Sequence, residues 1–130
     1  AIDEAIAYAK RRHIGANVVT DFQGLRWQLA DFDARLQGAR ALMGVAAREY
    51  QATGRSTASS ARAKLLASTT AMEATTAALQ ITGSHGCFSA SPFLRYMMDA
   101  KVSQITGGTI EILRNTIARE RLGKPSAPTP

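Results

Sequence analysis

The sequence predicts an all-α domain, an antiparallel bundle of about five helices, and three observations carry that prediction. Apolar residues recur at helical spacing along most of the chain, without the alternation that would build a sheet. The composition is 45 % hydrophobic, rich in alanine and poor in aromatics, and three of the four prolines fall in the last six residues. Glycine-bearing turns, above all Gly83-Ser84-His85-Gly86 and Gly107-Gly108, punctuate sequence that otherwise reads as continuous helix. At 130 residues the chain holds one domain around a single core.

The first helix is expected from about Ile2 to Arg12, with Ile2, Ile6 and Ala9 on one face and charges opposite. Nothing before Ala1 caps it, so residue 1 reads as lying inside a helix that begins earlier in a longer parent. His13 to Thr20 reads as a loop. A long helix follows from Asp21 to Thr53, its apolar face made of Phe22, Leu25, Leu29, Phe32, Leu36, Ala39, Met43 and Ala46, and Gly54 ends it. The third helix, Ser56 to Thr82, is built of Ala, Ser and Thr with Leu65, Leu66, Met72 and Leu79 as its large apolar members. Such small faces let neighbouring helices approach closely, which puts this helix at the centre of the bundle. The last two helices are expected over Pro92 to Gln104 and Thr109 to Leu122, with Thr109 as the N-cap for Ile110 onward. Residues 1–122 thus form the domain, and residues 123–130, with the KPSAPTP run, read as a disordered tail.

The single cysteine, Cys87, excludes an internal disulfide and reads as a small packed hydrophobe. With no secretory or membrane-spanning segment in the sequence, a cytoplasmic location and no membrane partner are expected. A formal net charge of +6 is spread along the helices without an aromatic-basic cluster, which argues for a solvated surface with a few phosphate contacts, not a nucleic-acid interface. No metal-ligand set is assigned.

Gln80-Ile81-Thr82-Gly83-Ser84-His85-Gly86, then Pro92, Asp99-Ala100-Lys101, Ile105-Thr106-Gly107-Gly108-Thr109-Ile110-Glu111-Ile112 and Ala118-Arg119 form one series of motifs. Tyr8-Ala9-Lys10-Arg11-Arg12, Asp21-Phe22-Gln23, Leu29-Ala30-Asp31, Ala63-Lys64-Leu65 and Ala67-Ser68 form another. Together they resemble the C-terminal helical domain of the acyl-CoA dehydrogenase family, over about residues 1 to 122. The resemblance implies FAD as cofactor, acyl-CoA as substrate and α,β-desaturation as reaction. It also implies a homo-oligomer, dimer or tetramer, and an electron-transfer flavoprotein as partner. The family's N-terminal helical and middle β domains are absent from this sequence, so what is implied is half of a flavin site.

By that resemblance Arg12 reaches the pyrophosphate of a neighbouring subunit's FAD, where a guanidinium makes charge-assisted bonds. Gln23 lies near the same cofactor, and Gln80, Gly83 and Ser84 form the turn that approaches it, with Ser84 in place of the usual second glycine. Thr109 and Glu111 match positions on the adenosine side of the subunit's own FAD. Read from the residues alone, Arg12 beside Arg11 is a surface arginine, Gln23 a solvated first-turn residue, and both glycine turns plain connectors. Gly15 takes the place of an aromatic that packs near the cofactor in the family. His13 and His85 read as loop and turn residues, Trp27 and Tyr50 as core or interface aromatics.

The sharpest departure is Gly107, which stands where many family members carry the catalytic glutamate. Glycine cannot act as a base, but its backbone N–H, which in the family polarises the thioester carbonyl, is retained. Three readings follow. The base comes from an upstream helix, as in the long-chain and branched-chain members with a small residue here; the chain is a catalytically degenerate or partner-dependent subunit; or it is a flavin-free helical assembly module.

Overall fold

The structure, a computed structural model, describes residues 1–88 and 90–125. Five helices form an antiparallel bundle: α1 (Ile2–Ala9), α2 (Gln23–Thr53), α3 (Thr57–Thr82), α4 (Phe93–Ser103) and α5 (Ile110–Leu122). α3 packs against each of the other four, the central place that its small side chains suggest. Its buried residues are Ala61, Ala63, Ser68, Thr70, Ala74, Thr75, Ala77, Ala78 and Thr82. Burying hydroxyls is tolerated because most bond back one turn: Ser68 to the Lys64 carbonyl at 2.8 Å, Thr75 to Ala71 at 2.8 Å and Thr82 to Ala78 at 3.1 Å.

The core is alanine lined by two rings. Ala5, Ala78 and Phe93 form one cluster, and Phe32, Ala74 and Ala77 form the other, with Ile2 packed against both. Each buried phenylalanine contributes about 1.5–3 kcal/mol by leaving water. The expected apolar face of α2 is correct at Phe32, Ala39 and Ala46, but Phe22 and Met43 are exposed, as are Trp27 and Tyr50, which therefore do not belong to the core of this chain. Leu65, Leu66, Met72 and Leu79 are only half-buried.

Several boundaries move for local reasons. α1 stops at Ala9, not Arg12, because the carbonyl of Arg12 leaves the helix to accept the Val19 N–H at 2.9 Å. The supposed loop contains a two-stranded antiparallel hairpin, β1 (His13–Ile14) with β2 (Asn17–Val18), pairing His13 with Val18 and Ile14 with Asn17. Its two-residue turn has Gly15 at φ 61°, followed by Ala16 without positive φ, the pattern of a type II′ turn. Gly15 is therefore required by the hairpin. A 3-10 turn over Val19–Asp21, closed by the Val18 N–H donating to Asp21 Oδ2 at 3.1 Å, delays α2 to Gln23. Gly54, at φ 72° and ψ 6°, caps α2. Ser56, with φ −153° and ψ 34°, is the N-cap, so α3 starts at Thr57; the Ser56 hydroxyl bonds Ser60 Oγ and, among the described residues, no backbone N–H. Pro92 and Gln104 stand as caps outside α4, and Thr109 caps α5 with its hydroxyl accepting the Ile112 N–H at 3.5 Å.

The turn after α3 is a 3-10 helix, Gly83–Cys87. Cys87 is exposed there, not packed, because the 3-10 geometry turns Gly86 inward instead. The expected disordered tail lies from residue 126 onward outside the described residues.

Candidate functional site

α3 separates the two glycine turns. Lys64, which reaches the second turn, and Gly83, which opens the first, stand nineteen residues apart on or at the end of α3, or about 28 Å at 1.5 Å per residue. The sequence-derived site residues therefore form two groups at opposite ends of the bundle, not one constellation.

At the first end the ring of Tyr8, from the last turn of α1, stacks on His85 of the 3-10 turn with centroids 5.0 Å apart and planes inclined by 14°. The Arg12 N–H donates to the Tyr8 carbonyl at 3.1 Å, so this stack fixes the stretch that carries Arg12. The Arg12 side chain is exposed and, among the described residues, pairs with no carboxylate. Gln23, Gln80, Gly83 and Ser84 are likewise exposed, and no side-chain hydrogen bond among the described residues occupies Gln23, Gln80 or Ser84. Gly83 sits at φ 58° and ψ −143°, with open space where a Cβ would be. Gly86 is buried; a Cβ there would run into the Thr82 side chain and stand 2.8 Å from Leu79 Cδ1, so the turn can close only with glycine. This end presents a guanidinium, two carboxamides, a hydroxyl and bare backbone to solvent.

At the second end Gly107 and Gly108 have φ 62° and 102°. Lys64 Nζ donates to the Thr106 carbonyl and, at 2.9 Å, to the Gly108 carbonyl. Gly107 is exposed, and among the described residues its N–H donates to no acceptor. Beside it is a cleft of about 310 Å³ whose polar lining includes Thr69, Lys101, Gln104, Thr109, Glu111 and Arg114. The Glu111 carboxyl is held below its ordinary range first by its own backbone N–H, then by the Thr109 hydroxyl, with Arg114 and Lys101 adding attraction. A carboxylate so stabilised is a poor proton acceptor and a good hydrogen-bond acceptor. No carboxylate stands at position 107 itself.

Lys64 is the site residue that sequence reasoning missed as such. Its signal was an isolated lysine flanked by Ala63 and Leu65 in a helix of small residues, but the carbonyls it binds lie 42 and 44 positions away. Among the described residues no group of three His, Cys, Asp or Glu side chains converges on a metal site, and no helix is long and apolar enough to cross a membrane.

Residues 1–122 match the family model for the acyl-CoA dehydrogenase C-terminal domain. A 3-sulfinopropanoyl-CoA desulfinase of Cupriavidus necator is 40 % identical over 121 residues, covering 91 % of this chain and 30 % of that protein. A short-chain-specific acyl-CoA dehydrogenase of Clostridium acetobutylicum is 41 % identical over 118 residues, covering 91 % of this chain and 31 % of its own length. The butyryl-CoA dehydrogenase of Megasphaera elsdenii superposes with a TM-score of 0.87 at 35 % identity, over 93 % of this chain and 32 % of that one. This chain thus spans about a third of the proteins it matches.

Proposed function

We propose, since the chain belongs to the acyl-CoA dehydrogenase family and forms its C-terminal helical domain, that its two exposed ends hold FAD and an acyl-CoA thioester between subunits. The carrying observation is the division of accessible polar groups between the two ends. Arg12, Gln23, Gln80 and Ser84 are exposed at one. At the other, Gly107, whose N–H is free among the described residues, and the Glu111 carboxylate are exposed beside the half-buried Thr109. These groups fit a long anionic cofactor: Arg12 suits pyrophosphate, and the Gly83 backbone leaves room for close approach. Thr109 and Glu111, an acceptor kept ionised, suit ribose hydroxyls.

What bound FAD supplies is a hydride acceptor for α,β-desaturation. This chain contributes orientation and charge: Arg12 binds phosphate, and the Gly107 N–H donates to the thioester oxygen, stabilising negative charge as the α proton leaves. The base lies outside this chain, on a segment that its relatives' extra length would provide. Exposed apolar residues on α2 (Trp27, Met43, Tyr50) and α4 (Met98, Val102) support burial of these faces between copies in a homo-oligomer. An electron-transfer flavoprotein is the electron acceptor in this reading.

A second reading is favoured by two observations together: Gly107 carries no base, and a relative at 40 % identity is a 3-sulfinopropanoyl-CoA desulfinase. Desulfination exchanges the β-carbon C–S bond for C–H while water supplies the third oxygen of sulfite, so it is redox-neutral and needs no hydride transfer to flavin. The test is to join this chain to the additional segments of a relative that also has a small residue at the position of Gly107, so that the base is supplied from outside this chain. Flavin bound and then reduced by acyl-CoA supports desaturation. Sulfite released from 3-sulfinopropanoyl-CoA without flavin reduction supports the second reading. A colourless protein doing neither defeats both.

A further inference from the structure

We propose that Lys64 is a positioning residue that aims the Gly107 N–H at an acyl thioester oxygen, an inference that rests on reading the Gly107 turn as the thioester end of the site. Lys64 is half-buried on α3, and its ammonium bridges the carbonyls of Thr106 and Gly108, which flank Gly107. Cis peptide bonds are absent among the described residues, and in a planar trans peptide the C=O and the following N–H point in opposite directions. Tying the Thr106 carbonyl to Lys64 therefore turns the Gly107 N–H away from α3. The same geometry at Gly108 turns the Thr109 N–H outward.

The clamp matters because of what it restrains. Two consecutive glycines at positive φ have many accessible conformations. A flip of the Thr106–Gly107 peptide would present a carbonyl oxygen where the donor should be, reversing the electrostatic effect on a thioester oxygen. With Lys64 in place that flip breaks a charge-assisted hydrogen bond. The ammonium also polarises the amide whose oxygen it binds, which makes the Gly107 N–H a stronger donor. A Cβ at residue 107 would stand 3.3 Å from Nζ, so glycine leaves the ammonium its full room between the two carbonyls.

Two measurements test this. In the isotopically labelled 130-residue chain, trans-hydrogen-bond scalar couplings from Lys64 Nζ to the Thr106 and Gly108 carbonyl carbons are expected, and their absence with freely exchanging Nζ protons would overturn the clamp without any variant. In Lys64→Met the amides of Gly107, Gly108 and Thr109 should shift and lose order while those of α2 stay in place. Lys64→Cys with Cys87→Ser, alkylated to an aminoethyl side chain, should restore them; unchanged amides in Lys64→Met overturn the proposal.

The second measurement uses this chain in place of the matching part of the Clostridium acetobutylicum relative. Crotonyl-CoA, a thioester, is compared with S-butyl-CoA, a thioether lacking the carbonyl oxygen. Lys64→Met should weaken crotonyl-CoA binding at least ten-fold and leave S-butyl-CoA binding unchanged. Equal loss of both ligands would make Lys64 merely structural and overturn the aiming role. Binding of neither ligand with Lys64 intact would instead defeat the thioester reading, and the scalar couplings would still judge the clamp.

Discussion

Tyr8 and His85 stack face to face, 5.0 Å between ring centroids, and so join the end of α1 to the glycine turn that follows α3, 77 residues later in the chain. The contact is local to two exposed or half-exposed rings, yet it sets where Arg12 stands. A double-mutant cycle with Tyr8→Ala and His85→Ala should give a coupling of about 0.5–1.5 kcal/mol in denaturant unfolding. Strict additivity of the two substitutions would mean that the stack does not hold α1 in place.

Among the described residues the Arg12 side chain pairs with no carboxylate, so its replacement should cost little in folding and much in binding. In a flavin-loaded protein that includes this domain, Arg12→Ala is expected to weaken FAD retention roughly ten-fold or more, from loss of about 1.5–3 kcal/mol of charge-assisted bonding. Equilibrium dialysis of the flavin measures it. Retention equal to wild type would return Arg12 to an ordinary surface residue.

Glycines in this fold are not alike. Gly38 lies inside α2 with 3.6 Å between an added Cβ and Leu66 Cδ2, an ordinary contact, so Gly38→Ala should stabilise by about 0.5–1 kcal/mol. Gly86→Ala meets Thr82 and Leu79 and should destabilise by about 1–3 kcal/mol. Thermal unfolding of the two variants should move the midpoint in opposite directions.

Thr70 is fully buried, and among the described residues its hydroxyl has no hydrogen-bond partner, unlike those of Ser68, Thr75 and Thr82 in the same helix. Thr70→Val removes an unsatisfied polar group at nearly constant shape. Stability should be unchanged or rise by about 1 kcal/mol. A loss as large as that of Thr75→Val would indicate that Thr70 does find a partner.

Arg35 and Glu73 tie α2 to α3 at 2.5 Å, with 34 % and 56 % of the two side chains exposed. The hydrogen bond from Arg35 holds the Glu73 carboxyl below its ordinary range. A carboxylate with a depressed folded-state pKa contributes stability that is present above its unfolded value, about 4.3, and is lost as pH falls through the folded value. Exposure limits the contribution to about 0.2–1 kcal/mol. Glu73→Gln should therefore lower stability at neutral pH by that amount and have no effect in acid well below the carboxylate range, where Glu73 is protonated in both states. Denaturant titrations of both proteins at the two pH values measure the difference.

The five helices, their order, the centrality of α3 and the stop at Gly54 are legible in the sequence, because helix period, caps and glycine stops are written in residues a few positions apart. Thr109 was legible as a cap for the same reason. Packing between the helices set the rest. It made a hairpin of His13–Val18, turned Cys87 outward, exposed Met43 and Trp27, and divided the site residues between two ends of α3. It also brought Lys64 to the Gly107 turn. These outcomes depend on which surfaces meet across the bundle, and local propensity has no term for a carbonyl that lies 42 residues away until α3 and the turn pack together.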